Sequence, residues 1–281
     1  MATAAVTGIE FDIEAMHARE KAVQLETDEQ ILVRMAEKFQ ILDDMTTAVR
    51  AGDVRAMIVS GPPGVGKSHG VESVLGKEDL FNTLANRAPK YEIVKGAMSS
   101  IGLYCKLYDH REENHVVVFD DVDNIFYDEN SLNLLKGALD SSAKRVISWN
   151  KDSRILRSEG IPDSFDFRGA AIFITNVNFK YVRSKKIKCH LEALESRCHY
   201  IDLEMDTTRE KFLRIQQVID AGMLDRYEFG AAGNQEVVQY MIDNSAKIRE
   251  ISLRMAIKIS DLRKAFPNSW VKMAGVTVMS K

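Results

Sequence analysis

The sequence predicts an α/β fold, a parallel sheet sandwiched by helices and followed by a small all-helical subdomain. Three observations predict it. Short apolar runs at residues 56–59, 91–94, 116–119, 170–174 and 200–203 alternate with helical patterns. The middle runs are almost wholly apolar, as strands buried on both faces are. Directly after the first run, Gly61-Pro62-Pro63-Gly64-Val65-Gly66-Lys67-Ser68 matches the phosphate-binding pattern G-x-x-x-x-G-K-[ST]. Beyond Asp206 only helical patterns remain, opened by Thr207-Thr208-Arg209-Glu210, which reads as a capping box.

Residues 1–52 read as helical, because Ile31, Met35, Phe39 and Leu42 recur at three- and four-residue steps before Gly52. This segment is expected to pack on a core of residues 53–205, with the helical subdomain over 206–281. In the glycine-rich loop, backbone N–H groups turn inward around an anion, Lys67 adds a point charge, and Ser68 offers a hydroxyl to Mg²⁺. His69 lies at the start of the following helix, whose positive end faces the same anion. That helix carries Val71, Val74 and Leu75 at helical spacing.

The run at 116–119 delivers Asp120-Asp121 at its carboxyl end, where open α/β sheets bind ligands. Asp120 is the expected Mg²⁺ ligand, and Asp121 the group that orients and polarises an attacking water. Asp123 adds a third carboxylate. The run at 170–174 ends in Thr175-Asn176, which puts an amide at the same edge, within reach of a terminal phosphate and the water. In the tail, helices are expected at 207–221, 235–244 and 247–265, the last stopped by Pro267.

With 45% apolar residues, 28% charged residues and a net charge of -3, the chain is neither disordered nor globally attracted to nucleic acid or anionic membrane. Any such binding needs a local patch. Residues 144–157 carry Lys144, Arg145, Lys151 and Arg154 around Trp149 and read as a basic hairpin. Residues 180–188 carry Lys180, Arg183, Lys185, Lys186 and Lys188 with no acid among them. Cys105, Cys189 and Cys198 are too few and scattered for a disulfide framework. The pairs Cys189-His190 and Cys198-His199 fit no zinc-ligand spacing. No apolar run is long enough to span a membrane, and the N-terminus lacks signal-peptide character, so a cytosolic location is expected.

The ordered set of residues 61–68, Asp120-Asp121, Asn176, Arg197 and Arg254, followed through a helical tail, resembles the AAA+ ATPases, which are P-loop NTPases. The resemblance implies a Walker A loop at 61–68, a Walker B segment at 116–121, a sensor 1 residue at Asn176 and a helical lid. It also implies an arginine finger at Arg197, in Glu195-Ser196-Arg197. A sensor 2 arginine belongs on the lid's third helix, where Arg249 and Arg254 both fit and Arg254 is preferred. The family usually has Asp-Glu where this chain has Asp120-Asp121. Residues 161–169, before Ile172-Phe173-Ile174-Thr175-Asn176, are similar to AAA+ ATPases encoded by tailed bacteriophages.

The implied activity is hydrolysis of ATP to ADP and phosphate, with ATP and Mg²⁺ as cofactors. The expected partners are further copies of the chain, as a hexamer in a ring or helical array, and DNA in phage replication or DNA metabolism. No membrane is expected, and the cytoplasm is the expected setting, that of the host if the chain is phage-encoded. The rival readings are a protein remodeller that grips a polypeptide through Tyr104 of Ile101-Gly102-Leu103-Tyr104, a monomeric P-loop kinase and a non-hydrolysing switch.

Overall fold

The computed structural model describes residues 25–179, 182 and 185–280. Residues 1–24 of the first helical segment, Lys180 and Arg183, and the side chains of Lys185 and Lys186, lie outside the described residues. The chain divides into two packed units. Among the described residues, one comprises Lys38–Gly61 and Lys67–Leu203; the other joins residues 25–37, the loop Pro62–Gly66 and residues 204–280. The first helix, α1 (Asp28–Ala51), contributes to both, so the units do not follow a boundary at residue 52.

In chain order the first unit continues with β1 (Ala56–Ser60), α2 (Lys67–Glu78), α3 (Leu80–Leu84), β2 (Tyr91–Lys95), α4 (Ser100–Asp109), β3 (Val116–Asp120) and α5 (Glu129–Ala138). Next come β4 (Val146–Ser148), α6 (Arg154–Glu159), β5 (Ser164–Asp166), β6 (Ala170–Thr175), α7 (Lys185–Glu195) and β7 (His199–Asp202). Five strands form one parallel sheet in the order β2-β3-β6-β1-β7. Successive side chains on a strand point to opposite faces, and here each face has its own core. Ile58, Val117, Phe119, Ala171 and Phe173 enter one with Leu103 and Leu107 of α4. Met57, Val59, Val116, Val118 and Ile172 enter the other with Leu42 of α1 and Val71 and Leu75 of α2. Burial on both faces is what the unalternated apolar runs required.

The register aligns the carboxyl ends of the central strands. Ser60 lies opposite Thr175 and Asp202, and Asp120 lies opposite Ile174 and Lys95. The next residues along the chain, Gly61, Asp121 and Asn176, therefore leave the sheet at one edge. Outside this sheet, β4 and β5 pair antiparallel. The expected hairpin exists, but its second strand carries Asp166, which lies 3.5 Å from Lys144.

The second unit is helical: α8 (Thr208–Val218), α9 (Gly230–Asp243), α10 (Leu253–Ala265) and α11 (Trp270–Thr277). The expected capping box forms, with Thr207 N donating to Glu210 Oε2 at 3.1 Å and Glu210 N donating to Thr207 Oγ1 at 3.1 Å. Glu210 is fully buried, and Arg34 Nη2 at 2.9 Å offsets its charge. Helix α9 begins at Gly230 rather than 235, because Gly233 packs against Phe229 and Arg263; a Cβ there would meet both within 2.7 Å. Helix α10 begins at Leu253 rather than 247. Ile248 bridges antiparallel to Met279, and Ser252 caps the helix by accepting from Met255 N at 3.2 Å. Helix α11, after Pro267, was not expected from the sequence. Among the described residues no helix is long and apolar enough to cross a membrane.

Candidate active site

The carboxyl edge of the sheet gathers five of the expected residues into connected pairs. Lys67 opens α2 and is 5% exposed. Its Nζ donates to Gly61 O at 2.6 Å and to Asn176 Oδ1 at 2.8 Å. The same amide donates through Nδ2 to Asp121 Oδ1 at 2.8 Å. Ser68 Oγ donates to Asp120 Oδ1 at 2.8 Å. Asp120 ends β3 and is 4% exposed. Asp121, one residue on, is exposed and takes a left-handed backbone (φ 56°), while its N–H stays bonded to Ile174 O at 2.9 Å. Asp is among the few residues that adopt this conformation at modest cost. The turn separates two adjacent carboxylates into one buried and one open group.

Asp123 is different. It accepts from Thr175 Oγ1 at 2.6 Å, and burial above all, opposed by that hydrogen bond, pushes its carboxyl up from the usual range. It therefore braces the end of β6 against β3. Lys95 was not anticipated from the sequence: it ends β2, faces Asp120 in register, and places Nζ 3.0 Å from Asp120 Oδ2. Only the strand register brings the two together, and no local pattern announces it.

These donors fit a nucleotide and Mg²⁺. A hydroxyl and a carboxylate held together are the hard oxygen ligands that Mg²⁺ takes, and a buried ammonium suits a phosphate. Gly64 (φ 71°) and Gly66 (φ 107°) take conformations that other residues rarely adopt. Of the loop's other residues, Val65 is buried, Pro62 half-buried, and Pro63 and His69 exposed.

Within the second unit, the loop Pro62–Gly66 is bound to the helical residues. Leu253 N donates to Gly64 O at 2.9 Å, and Arg214 Nε donates to Val65 O at 3.5 Å. A Cβ on Gly64 would come 2.7 Å from Ser252 Cβ and 3.7 Å from Arg254 Cγ. Arg254, exposed in the first turn of α10, thus lies beside the loop, whereas Arg249 donates to the Thr277 carbonyl.

Arg197 is not part of this cluster. It lies in the turn between α7 and β7 and donates from Nη1 to Ala193 O at 2.6 Å. Because β7 runs parallel to β1 with Asp202 opposite Ser60, Arg197 sits at the amino edge, about 16 Å along the strand from the Lys67 edge.

Three expectations for substrate contact are corrected. Arg145 is only 8% exposed and donates to Ala138 O and Gly169 O, both at 3.0 Å, so it does not project from the outer face of the hairpin as the other cations there do. Tyr104 is fully buried and donates to Pro162 O at 2.8 Å, so it cannot grip a polypeptide. Trp149 packs inward on Tyr104, ring centroids 5.8 Å apart, and offers no free stacking face on that side. Lys144, Lys151, Arg154 and Lys188 are exposed, with Lys151 Nζ donating to Asn130 Oδ1 at 2.9 Å.

No protein-family model matches the chain. A curated relative does: an uncharacterized 36.7 kDa protein of the nrdC-mobD intergenic region of Enterobacteria phage T4. It is 33% identical over 252 residues, covering 89% of this chain and 76% of the phage protein. Among solved structures, NtrX from Brucella abortus in complex with ATP is similar at a TM-score of 0.50 with 10% identity, over 92% of this chain and 57% of NtrX. The S. cerevisiae Hsp104:casein complex gives a TM-score of 0.47 with 16% identity, over 86% of this chain and 38% of the Hsp104 chain. The chain thus spans less than two thirds of either solved chain, and at these identities the likeness concerns the fold alone. The chain belongs to the family of the phage T4 36.7 kDa protein, and its fold is the AAA+ module, a P-loop parallel α/β core with a helical C-terminal part.

Proposed function

We propose that the chain is a Mg²⁺-dependent AAA+ ATPase that works as a homo-oligomer, a hexamer, on DNA in phage replication or DNA metabolism. The observation that carries the proposal is the linkage of Lys67 through Asn176 to Asp121, beside the Ser68–Asp120 pair. Ser68 and Asp120 would hold Mg²⁺, which when bound neutralises phosphate charge. Lys67 is the buried cation for the outer phosphates. Asn176 holds Asp121 by one oxygen, and the exposed carboxylate can accept from a water and orient it.

Arg197, at the far edge, can serve only a site on another copy, which makes assembly part of the chemistry. Arg254 is the proposed lid arginine. The DNA reading is supported by the phage relative and by the exposed cations Lys144, Lys151, Arg154 and Lys188, which suit a phosphate backbone. The burial of Tyr104 removes the residue on which the remodeller reading rested.

The test is ATP turnover by the purified protein with Mg²⁺, alone and with single-stranded or duplex DNA at low salt. Asp121→Asn should keep nucleotide binding and lose about 10²-fold or more in turnover. Unchanged turnover in that variant would overturn the hydrolytic assignment, and a rate indifferent to both DNAs would remove DNA from it.

A further inference from the structure

At the amino edge of the sheet, at the other end of the strands from Lys67 and Asp120, lies a cavity of about 300 Å³ lined by Arg55, Arg145, Arg168, Glu113, Asn114 and Gly169, with neighbouring backbone. That volume is at the lower end of the range for small-molecule sites. Its lining is strongly cationic. Arg145, 8% exposed, satisfies Nη1 and Nη2 on the carbonyls of Ala138 and Gly169 and lies over the Phe167 ring, 5.1 Å from its centroid. Arg55, exposed, gives Nη1 to the carbonyls of Asp140 at 3.1 Å and Ser142 at 3.0 Å. Among the described residues, neither has a carboxylate at ion-pair distance.

Carbonyls satisfy donors but bring no countercharge, and a buried ion without one carries an uncompensated desolvation penalty. Burial first, and then the neighbouring Arg55, hold the Arg145 guanidinium down at about 10, still cationic at neutral pH. Arg168 is balanced by Glu112 and Glu113, the latter at 3.6 Å. Glu113 is the single acid in the lining, against three arginines. The planar fork of each guanidinium has five donors and matches a tetrahedral oxyanion better than any other side chain does.

We propose that this cavity is an oxyanion site for a phosphate group, held by Arg55 and Arg145 with Arg168 at its rim. It is separate from the nucleotide site, about one strand length away. The phosphate can come from two sources, a free phosphate or nucleotide, or the backbone of a nucleic acid.

The experiment uses the full chain carrying Lys67→Ala, which removes the cation of the phosphate loop. Inorganic phosphate, titrated against it at constant ionic strength, should raise the thermal unfolding midpoint. Adding Arg55→Gln should weaken that effect about 10-fold in phosphate concentration, as loss of a charge-assisted contact does. Arg168→Gln should weaken it less. Both positions are exposed, so the test does not depend on Arg145→Gln, which risks unfolding the chain. A short fluorescent single-stranded oligonucleotide separates the sources. Binding that phosphate displaces, and that Arg55→Gln weakens, assigns the group to nucleic acid. Phosphate binding without oligonucleotide binding assigns it to a free phosphate or nucleotide. No effect of phosphate on the Lys67→Ala chain, or an effect that Arg55→Gln leaves intact, overturns the site.

Discussion

The two edges of the central sheet are built from the same strands and carry opposite chemistry. At the carboxyl edge, Asp120 ends β3 and Asp121 and Asp123 follow it, and the buried cation Lys67 is held by oxygen atoms of Gly61 and Asn176, the residues next after β1 and β6. At the amino edge, Arg55, Arg145, Arg168 and Arg197 lie at strand starts; Arg55, Arg145 and Arg197 donate to backbone carbonyls, and Arg168 pairs with Glu112 and Glu113. Extrapolating the β1–β7 register back from Met57↔His199 sets Arg55 beside Arg197. A parallel sheet teaches why this is workable: its strands all point one way, so each edge collects one kind of loop and can be charged independently of the other. An edge with three carboxylates and an edge with four arginines on one body are complementary head to tail, the arrangement that the proposed ring or helical array needs.

The sharpest way to break this comparison is Arg197→Ala. If the amino edge completes a neighbour's site, turnover should fall about 10³-fold while nucleotide binding by each chain persists. Turnover near wild type would reduce Arg197 to a residue that ties its own turn to Ala193.

Gly169→Ala tests whether the amino edge is a built structure. A Cβ at Gly169 would lie 2.0 Å from His110 O, a distance no side chain tolerates, and the backbone wall of the cavity would have to move. The expected loss is about 3 kcal/mol of stability, measured by denaturant unfolding. A loss within about 0.5 kcal/mol, the range of an ordinary surface change, would show that the edge adapts easily. At the opposite edge, Asn176→Ala removes the link between Lys67 and Asp121 and should cost about 10²-fold in turnover with little change in stability. Lys95→Met is gentler. It leaves the Asp120 carboxylate without its ammonium neighbour, so the Mg²⁺ concentration needed for half-maximal nucleotide binding should fall. Because Lys95 is 60% exposed, the pair is worth at most about 1 kcal/mol, or roughly 5-fold.

The two edges were unequally legible in the sequence. At the carboxyl edge, Lys67, Ser68, Asp120 and Asn176 each follow an apolar run in a motif whose chemistry dictates both residue type and spacing. Locating the strands therefore brought these residues to one edge. Lys95 escaped because its partner is fixed by register, and a lysine ending a strand has no local signature. At the amino edge nothing is local: Arg55, Arg145 and Arg168 meet only after the sheet is assembled. From sequence Arg145 reads as an outward cation of a basic hairpin, and Trp149 as its aromatic, because alternation in a short ribbon does not reveal which face meets the core. In the lid, Gly230 and Gly233 masked the start of α9. Glycine lowers helix propensity whether or not tertiary packing requires it, and contact with Phe229 and Arg263 overrode that preference.

The weakest of these effects separates the edges by pH. His110, ending α4, is mostly buried, with Glu92 Oε2 3.2 Å from its Nε2. Burial lowers its affinity for a proton below the ordinary 6.5; Glu92 and Asp109 oppose that shift, while His115 and Lys106 reinforce it. His115 is lowered as well, by burial first and then by Lys90. The unfolded chain therefore binds more protons than the folded one as pH falls through 6.5, and stability must decline there. His110→Phe should flatten that decline, changing the thermal midpoint by less than about 4 °C below pH 6.5 and hardly at all above it. Among the described residues the acids acting on this ring are Glu92 and Asp109, neither of them at the carboxyl edge, so nucleotide binding should keep its own pH dependence in the variant. A parallel shift in both would mean that the edges are coupled through the sheet.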